Sequence, residues 1–245
     1  MTKTEVEEGF NLKADEMTRA GLVFGHRASR THPKMIPYIS GKKNTVQIID
    51  AEKTLEKFKE ALQFIKEIIS QNKTILIVGT KIQIRGLVEN FAKECGLPFV
   101  NERWLGGTFT NFDTLKKRID YFKDLENKKA SGELEKYTKK ERAGMNEELR
   151  ILGIKFRGIK NLEKIPEAIF VLDMKKDELA IKEARAKGVK VVAVADTNVD
   201  PNLADYPIPA NDDAISSIRY ILEKIKETIL NARQKTPEEK PKIKN

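Results

Sequence analysis

Apolar positions along this chain follow two alternating rhythms. At 46–49, 74–78 (TILIV), 97–100, 168–172 (AIFVL) and 189–195 (VKVVAVA) they run together in short blocks, as strands do when both faces are covered. Between the blocks they recur every three or four residues. Leu55, Phe58, Leu62, Ile65 and Ile69 mark one long helix opened at Asp50 or Ala51, and Leu87, Val88 and Phe91 mark another closed by Gly96. A helix over 178–187 ends at Gly188. A short proline-flanked strand at Ile208 then leads to a helix along Ile215, Ile218, Ile221, Leu222 and Ile225, capped by Asp212 and Asp213. Strands alternating with helices of this length predict right-handed βαβ units. The expected fold is α/β, a doubly wound (flavodoxin- or Rossmann-like) parallel sheet with helices on both faces.

Between Thr110 and Pro166 the alternation stops. Leu115, Ile119, Phe122 and Leu125 give one helical face, 127–132 breaks it, and a second, highly charged helical stretch runs from about 133 to 152. This predicts an antiparallel helical hairpin inserted at 111–165, with the α/β domain built from 1–110 and 166–230. Residues 231–245, rich in lysine and broken by Pro237 and Pro241, read as a disordered basic tail. No apolar run approaches the roughly 20 residues that cross a bilayer, so no membrane partner is expected. Cys95 is alone, which rules out an intrachain disulfide and a multi-cysteine zinc site, and it lies in an apolar helical pattern. A reducing cytoplasm is expected.

Charge changes the picture. The 245 residues carry a net +9. Within 19–43 lie Arg19, Arg27, Arg30, Lys34, Lys42 and Lys43 without one carboxylate, together with both histidines, His26 and His32. Pro33, Pro37, Gly21, Gly25 and Gly41 argue against a single helix there, so the stretch reads as an irregular basic loop. Such a loop needs an external polyanion, and nucleic acid is the commonest one.

Catalytic signatures are missing. No G-x-G-x-x-G follows a strand and no G-x-x-x-x-G-K-[ST] occurs. Gly79-Thr80-Lys81 is only a fragment of a phosphate loop. Asp173, Asp196 and Asp200 fall just past strand ends, where carboxylates could act as bases or hold a metal, but Asp196-Thr197-Asn198 and Asp200-Pro201 are also ordinary turn chemistry. His26 and His32 lack the carboxylate and spacing of a helical zinc motif. One cluster keeps two readings: Arg103-Trp104-Leu105-Gly106-Gly107-Thr108-Phe109-Thr110-Asn111. Its glycines could bring backbone N–H groups to a phosphate while Trp104 stacks on a base, or Trp104 and Phe109 could simply plug the sheet edge.

Gly21-Leu22-Val23-Phe24-Gly25-His26 and Pro33-Lys34-Met35-Ile36-Pro37-Tyr38-Ile39 closely resemble the opening motifs of bacterial small-subunit ribosomal protein two, the universal ribosomal protein S-two family. Trp104-Leu105-Gly106-Gly107-Thr108 with Thr110-Asn111-Phe112 is similar to the next motif. Asp196-Thr197-Asn198 with Asp200-Pro201, Asp205-Tyr206-Pro207-Ile208-Pro209 and Asn211-Asp212-Asp213-Ala214-Ile215 resemble the later ones, in the family's order. The resemblance implies a structural constituent of the small ribosomal subunit, a ribonucleoprotein role in translation, without cofactor, metal, catalysis or small-molecule substrate. Its partners would be small-subunit ribosomal RNA and neighbouring ribosomal proteins, including ribosomal protein one, which the family helps hold. Val23 stands where many members have histidine, and Thr31-His32 where many have Trp-Asn, which weakens any metal or stacking role there.

Combined with the acid-free stretch, this assigns RNA phosphates to Arg27, Arg30, Lys34, Lys42 and Lys43, with hydrogen bonds or stacking from His26, His32 and Tyr38. Arg103, Trp104, Thr108 and Asn111 join the RNA-binding set. Two alternatives stay open: a cofactor-free or nucleotide- or sugar-phosphate-binding α/β enzyme using Thr80, Asp173, Asp196 or Asp213, and a protein-interaction module acting through the 111–165 hairpin.

Overall fold

A computed structural model describes residue 10 and residues 12–235. The parallel sheet is present. Its five strands, β4 (Ile75–Val78), β5 (Phe99–Val100), β6 (Ala168–Val171), β7 (Lys190–Ala195) and β8 (Tyr206–Pro209), lie in the order β5-β4-β6-β7-β8. This is the flavodoxin-type order, in which the strand sequence reverses direction between β4 and β6. The apolar blocks explain it. Every residue of β4 and β6 is buried, so neither strand has a face for polar alternation.

The chain forms two compact units. One takes Val194–Asn202 with the described parts of Met1–Lys73 and Tyr206–Asn245; the other takes Thr74–Ala193 and Leu203–Asp205. In the first, α2 (Ala51–Ser70) is opened by Asp50, whose carboxylate accepts from the amides of Glu52 and Lys53. Its Phe58, Ala61, Leu62 and Ile65 are almost fully buried against β8 and α7 (Ile215–Lys235). Each large side chain so buried is worth about 1.5–3 kcal/mol. Just ahead of α7 the Asn211 side-chain oxygen accepts from the amides of Asp213 and Ala214 at 2.8 and 3.0 Å. The helix runs to Lys235, so the first five residues of the expected tail are helical; 236–245 lie outside the described residues.

The basic stretch is not an irregular loop. α1 (Ala14–Ala20) stops on Gly21 at φ +86°, and β1 (Phe24–Arg27), two 3-10 turns, β2 (Ile39–Lys43) and β3 (Val46–Ile49) follow. The three strands form a separate antiparallel sheet in the order β1-β3-β2. The 46–49 block therefore belongs to this small sheet and not to the parallel one. The prolines and glycines that exclude a long helix punctuate the stretch into short elements instead. Lys43 pairs with Val46 across a two-residue turn in which Asn44 sits at φ +56°, a conformation asparagine tolerates.

In the second unit α3 (Arg85–Glu94) connects β4 to β5, and α6 (Glu178–Ala186) connects β6 to β7. Between β5 and β6 stand α4 (Phe112–Ala130) and α5 (Lys139–Phe156), which pack on each other. The inward stripe of α4 is Leu115, Ile119, Phe122 and Leu125, as the periodicity requires. The interruption falls at 131–138, a few residues later than the sequence pattern suggested. There Thr138 and Glu141 form a reciprocal capping box that fixes the start of α5.

Two glycines of this unit give opposite expectations for the same change. A Cβ on Gly158 would lie 2.1 Å from the Phe99 carbonyl oxygen, so Gly158→Ala should cost at least about 1–3 kcal/mol in urea unfolding. Gly144, inside α5, has open space around it, and Gly144→Ala should stabilise by about 0.5–1 kcal/mol. Equal effects at the two sites would refute this packing.

Candidate nucleic-acid interface

In the first unit the basic segment is stitched down at Asp196 and Thr197, just past the end of β7. The His26 amide donates to Thr197 Oγ1 at 2.8 Å, and the His32 amide donates to the Thr197 carbonyl at 2.8 Å. Gly25 makes this approach possible, because a Cβ there would lie 2.4 Å from Thr197 Cγ2. Asp196 is 1% exposed and accepts from the Thr197 amide and hydroxyl and from the Asp212 amide.

The imidazole of His26 lies between two carboxylates. Its Nδ1 is 3.1 Å from Asp196 Oδ2 and its Nε2 is 3.4 Å from Asp213 Oδ2. The hydrogen bond to Asp196 and the surrounding carboxylates raise the histidine pKa above 6.5, against the opposing effect of burial. His26 therefore has carboxylate partners at both ring nitrogens, where the sequence suggested a free RNA contact. His26, Asp196 and Asp212 each offer a ligand atom within 4.8 Å of the others. A metal there would need the imidazole nitrogen facing it to be free of its proton.

Other members of the predicted set divide in the same way. Lys34 pairs with Asp200 at 2.7 Å, and this bond, outweighing desolvation, lowers the Asp200 pKa. His32 Nδ1 accepts from the Lys34 amide and caps the 3-10 turn Pro33–Tyr38. Tyr38 is half-buried, and its carbonyl accepts from the Asp50 amide. Arg27, Arg30, Lys42 and Lys43 are exposed and have no ion-pair partner among the described residues. Arg27 on β1 and Lys43 on β2 both lie opposite Val46 of β3, so they share one face of the small sheet. Two inter-strand spacings separate them, about 9–10 Å.

The 103–111 cluster belongs to the second unit. Trp104 is 5% exposed and meets Phe109 edge-on with ring centroids 5.0 Å apart; Thr108 is 2% exposed and donates to the Leu105 carbonyl. Neither Trp104 nor Thr108 offers its side chain to RNA, which corrects both assignments: the plugging role holds. The backbone donors also point inward. Glu183, on α6, accepts from the amides of Gly107 at 2.8 Å, Phe109 at 2.9 Å and Thr110 at 3.3 Å, from the Thr110 hydroxyl at 3.3 Å and from the Trp104 indole at 3.4 Å. Burial pushes this carboxyl up, but these donors prevail and hold it below 4.5. Gly107 takes φ +92° within this turn. Arg103 and Asn111 remain exposed, and the Asn111 side chain makes no cap bond although it precedes α4.

At the sheet's switch point, where an enzyme of this fold would bind its ligand, side chains bond to one another. Thr80 donates to Asp177 through both amide and hydroxyl, and Lys81 lies 3.3 Å from Asp173. Burial pushes the Asp177 carboxyl up to about 6 despite those two bonds.

The profile described as Ribosomal protein S2 matches residues 17–232. The chain belongs to the ribosomal protein S2 family. Similar relatives include the Small ribosomal subunit protein uS2 of Dictyoglomus thermophilum, 46% identical over 218 residues and 89% of each chain. The protein of the same name from Fusobacterium nucleatum is 45% identical over 220 residues, again 89% of each. That from Geotalea uraniireducens is 43% identical over 224 residues, covering 91% of this chain and 88% of its own. In this S2-family chain, sequence reasoning missed Glu183 altogether. Its one signal is a carboxylate on the helix face that also carries Ala180 and Ala184, both fully buried.

The His26 clamp has a pH signature. A folded pKa above the ordinary histidine value contributes stability that is complete below about 6.5 and lost as pH rises through the folded value. The stability difference between wild type and His26→Gln should therefore shrink as pH rises above about 6.5. A constant difference in thermal melts across that range would show that no imidazolium is held there.

Proposed function

We propose that this protein is a structural constituent of the small ribosomal subunit that binds small-subunit ribosomal RNA through Arg27, Arg30, Lys42 and Lys43, with Arg103 and Asn111 as further contacts. Its place is the cytoplasmic ribosome. The observation that carries this is the division of charge within one segment. His26 and Lys34 are paired with carboxylates of the chain, whereas four neighbouring exposed cations have no ion-pair partner among the described residues. A rigid display of unpaired cations suits a phosphate backbone, which supplies affinity without sequence readout. Membership of a ribosomal family supports the same reading. A structural role also agrees with the bonding of Thr80 to Asp177 and the pairing of Lys81 with Asp173 past the ends of β4 and β6.

A second contact, to protein, is favoured by the helical pair. A cavity of about 460 Å³ is lined by Leu105, Ile151, Leu152 and Phe156 together with the charged Arg118, Glu147, Glu148 and Lys155. Neighbouring ribosomal proteins are the proposed occupants of such surfaces, and ribosomal protein one is among the neighbours expected.

Association with isolated small-subunit RNA should weaken steeply as salt rises. Replacing Arg27, Arg30, Lys42 and Lys43 by alanine should reduce the slope of log affinity against log salt by roughly 0.7–0.9 per lost contact, with the fold unchanged by circular dichroism. An unaltered slope in the quadruple variant, measured by filter binding, would remove this stretch from the interface.

A further inference from the structure

The sequence left open whether the glycine-rich loop offers its backbone N–H groups to a phosphate. In the structure an anion is already there, and it is the protein's own. Three backbone amides, one hydroxyl and the indole converge on the two oxygens of Glu183, a side chain 5% exposed. This donor set is the kind that cradles phosphate in concave backbone nests. A glutamate reached from α6 fills it instead, and with the carboxylate ionised no second anion can share those donors.

We infer that Glu183 is a positioning residue: it occupies the anion nest of the 103–111 loop, so that the loop meets RNA with Arg103 and Asn111 and not with its backbone. Geometry carries the inference. Trp104, bonded to Glu183 and packed edge-on against Phe109, fixes the chain immediately after Arg103. The bonds to Phe109 and Thr110 fix it immediately before Asn111, whose amide closes the turn onto the Gly107 carbonyl at 2.9 Å. Both outward side chains are thus anchored by one buried charge. Leaving such a charge, or its donors, unmatched is costly, so the loop has one closed state. The role as stated rests on the proposed RNA contact of Arg103 and Asn111.

Trp104 is the only tryptophan, so its emission reports on this loop alone. In Glu183→Gln an amide replaces one acceptor oxygen and opposes the N–H donors. Emission should shift to the red while the helical circular dichroism persists. The salt slope for binding small-subunit RNA should fall by about 0.7–0.9, one contact's share, as it should in Arg103→Ala. The double variant should fall no further, because Arg103 acts only when Glu183 holds it. Thr110→Val, which removes one donor and spares the carboxylate, should move both readouts the same way by less, and it decides the matter should Glu183→Gln fail to fold. Additive losses in the double variant, or wild-type emission and slope in the single ones, would overturn the inference. If Arg103→Ala binds like wild type, the loop is no RNA contact; the Trp104 shift then still reports whether Glu183 closes it.

Discussion

An ionised carboxylate taken out of water must be met by donors, and much of this molecule's local structure answers that demand. Asp196 gathers the Thr197 amide and hydroxyl, the Asp212 amide and the His26 imidazole. Glu183 gathers the 103–111 loop. Asp177 gathers Thr80. Each is buried near an end of a strand or on a connecting helix, where a flavodoxin-like sheet otherwise exposes backbone donors to a ligand. The consequence is a scaffold whose prospective ligand sites have become joints.

A site with open donors and a mobile charge invites a substrate; one whose donors are spent on internal carboxylates holds loops still. Stillness matters for the basic segment. Arg27 and Lys43 flank Val46 on a three-stranded sheet, and Gly25 lets that sheet sit directly on Thr197. Long cations lose little further backbone freedom on meeting phosphates when the backbone beneath them is already fixed.

Much of the fold could be read directly. Blocks of apolar residues mark β4, β6 and β7 because strands covered on both faces have no polar alternation, and threefold and fourfold spacing marks α2, α4 and α7. The site was legible only in part. Charge count singled out Arg27, Arg30, Lys42 and Lys43, which stand exposed without an ion-pair partner among the described residues, because surface cations depend little on long-range contacts. The pairing of His26 and Lys34 and the burial of Trp104 and Thr108 were not legible, for the opposite reason. Their partners, Asp196, Asp213, Asp200, Glu183 and Leu105, are for the most part many residues away, and nothing local announces a pairing across 79 to 187 positions.

What the sequence determined alone was periodicity and inventory: which segments become strands or helices, and that one stretch holds six cations without an acid. Only the tertiary structure decided which charges face water. Burial and hydrogen bonding are properties of neighbours in space, and the same histidine or tryptophan is ligand or keystone according to whether a distant carboxylate reaches it first.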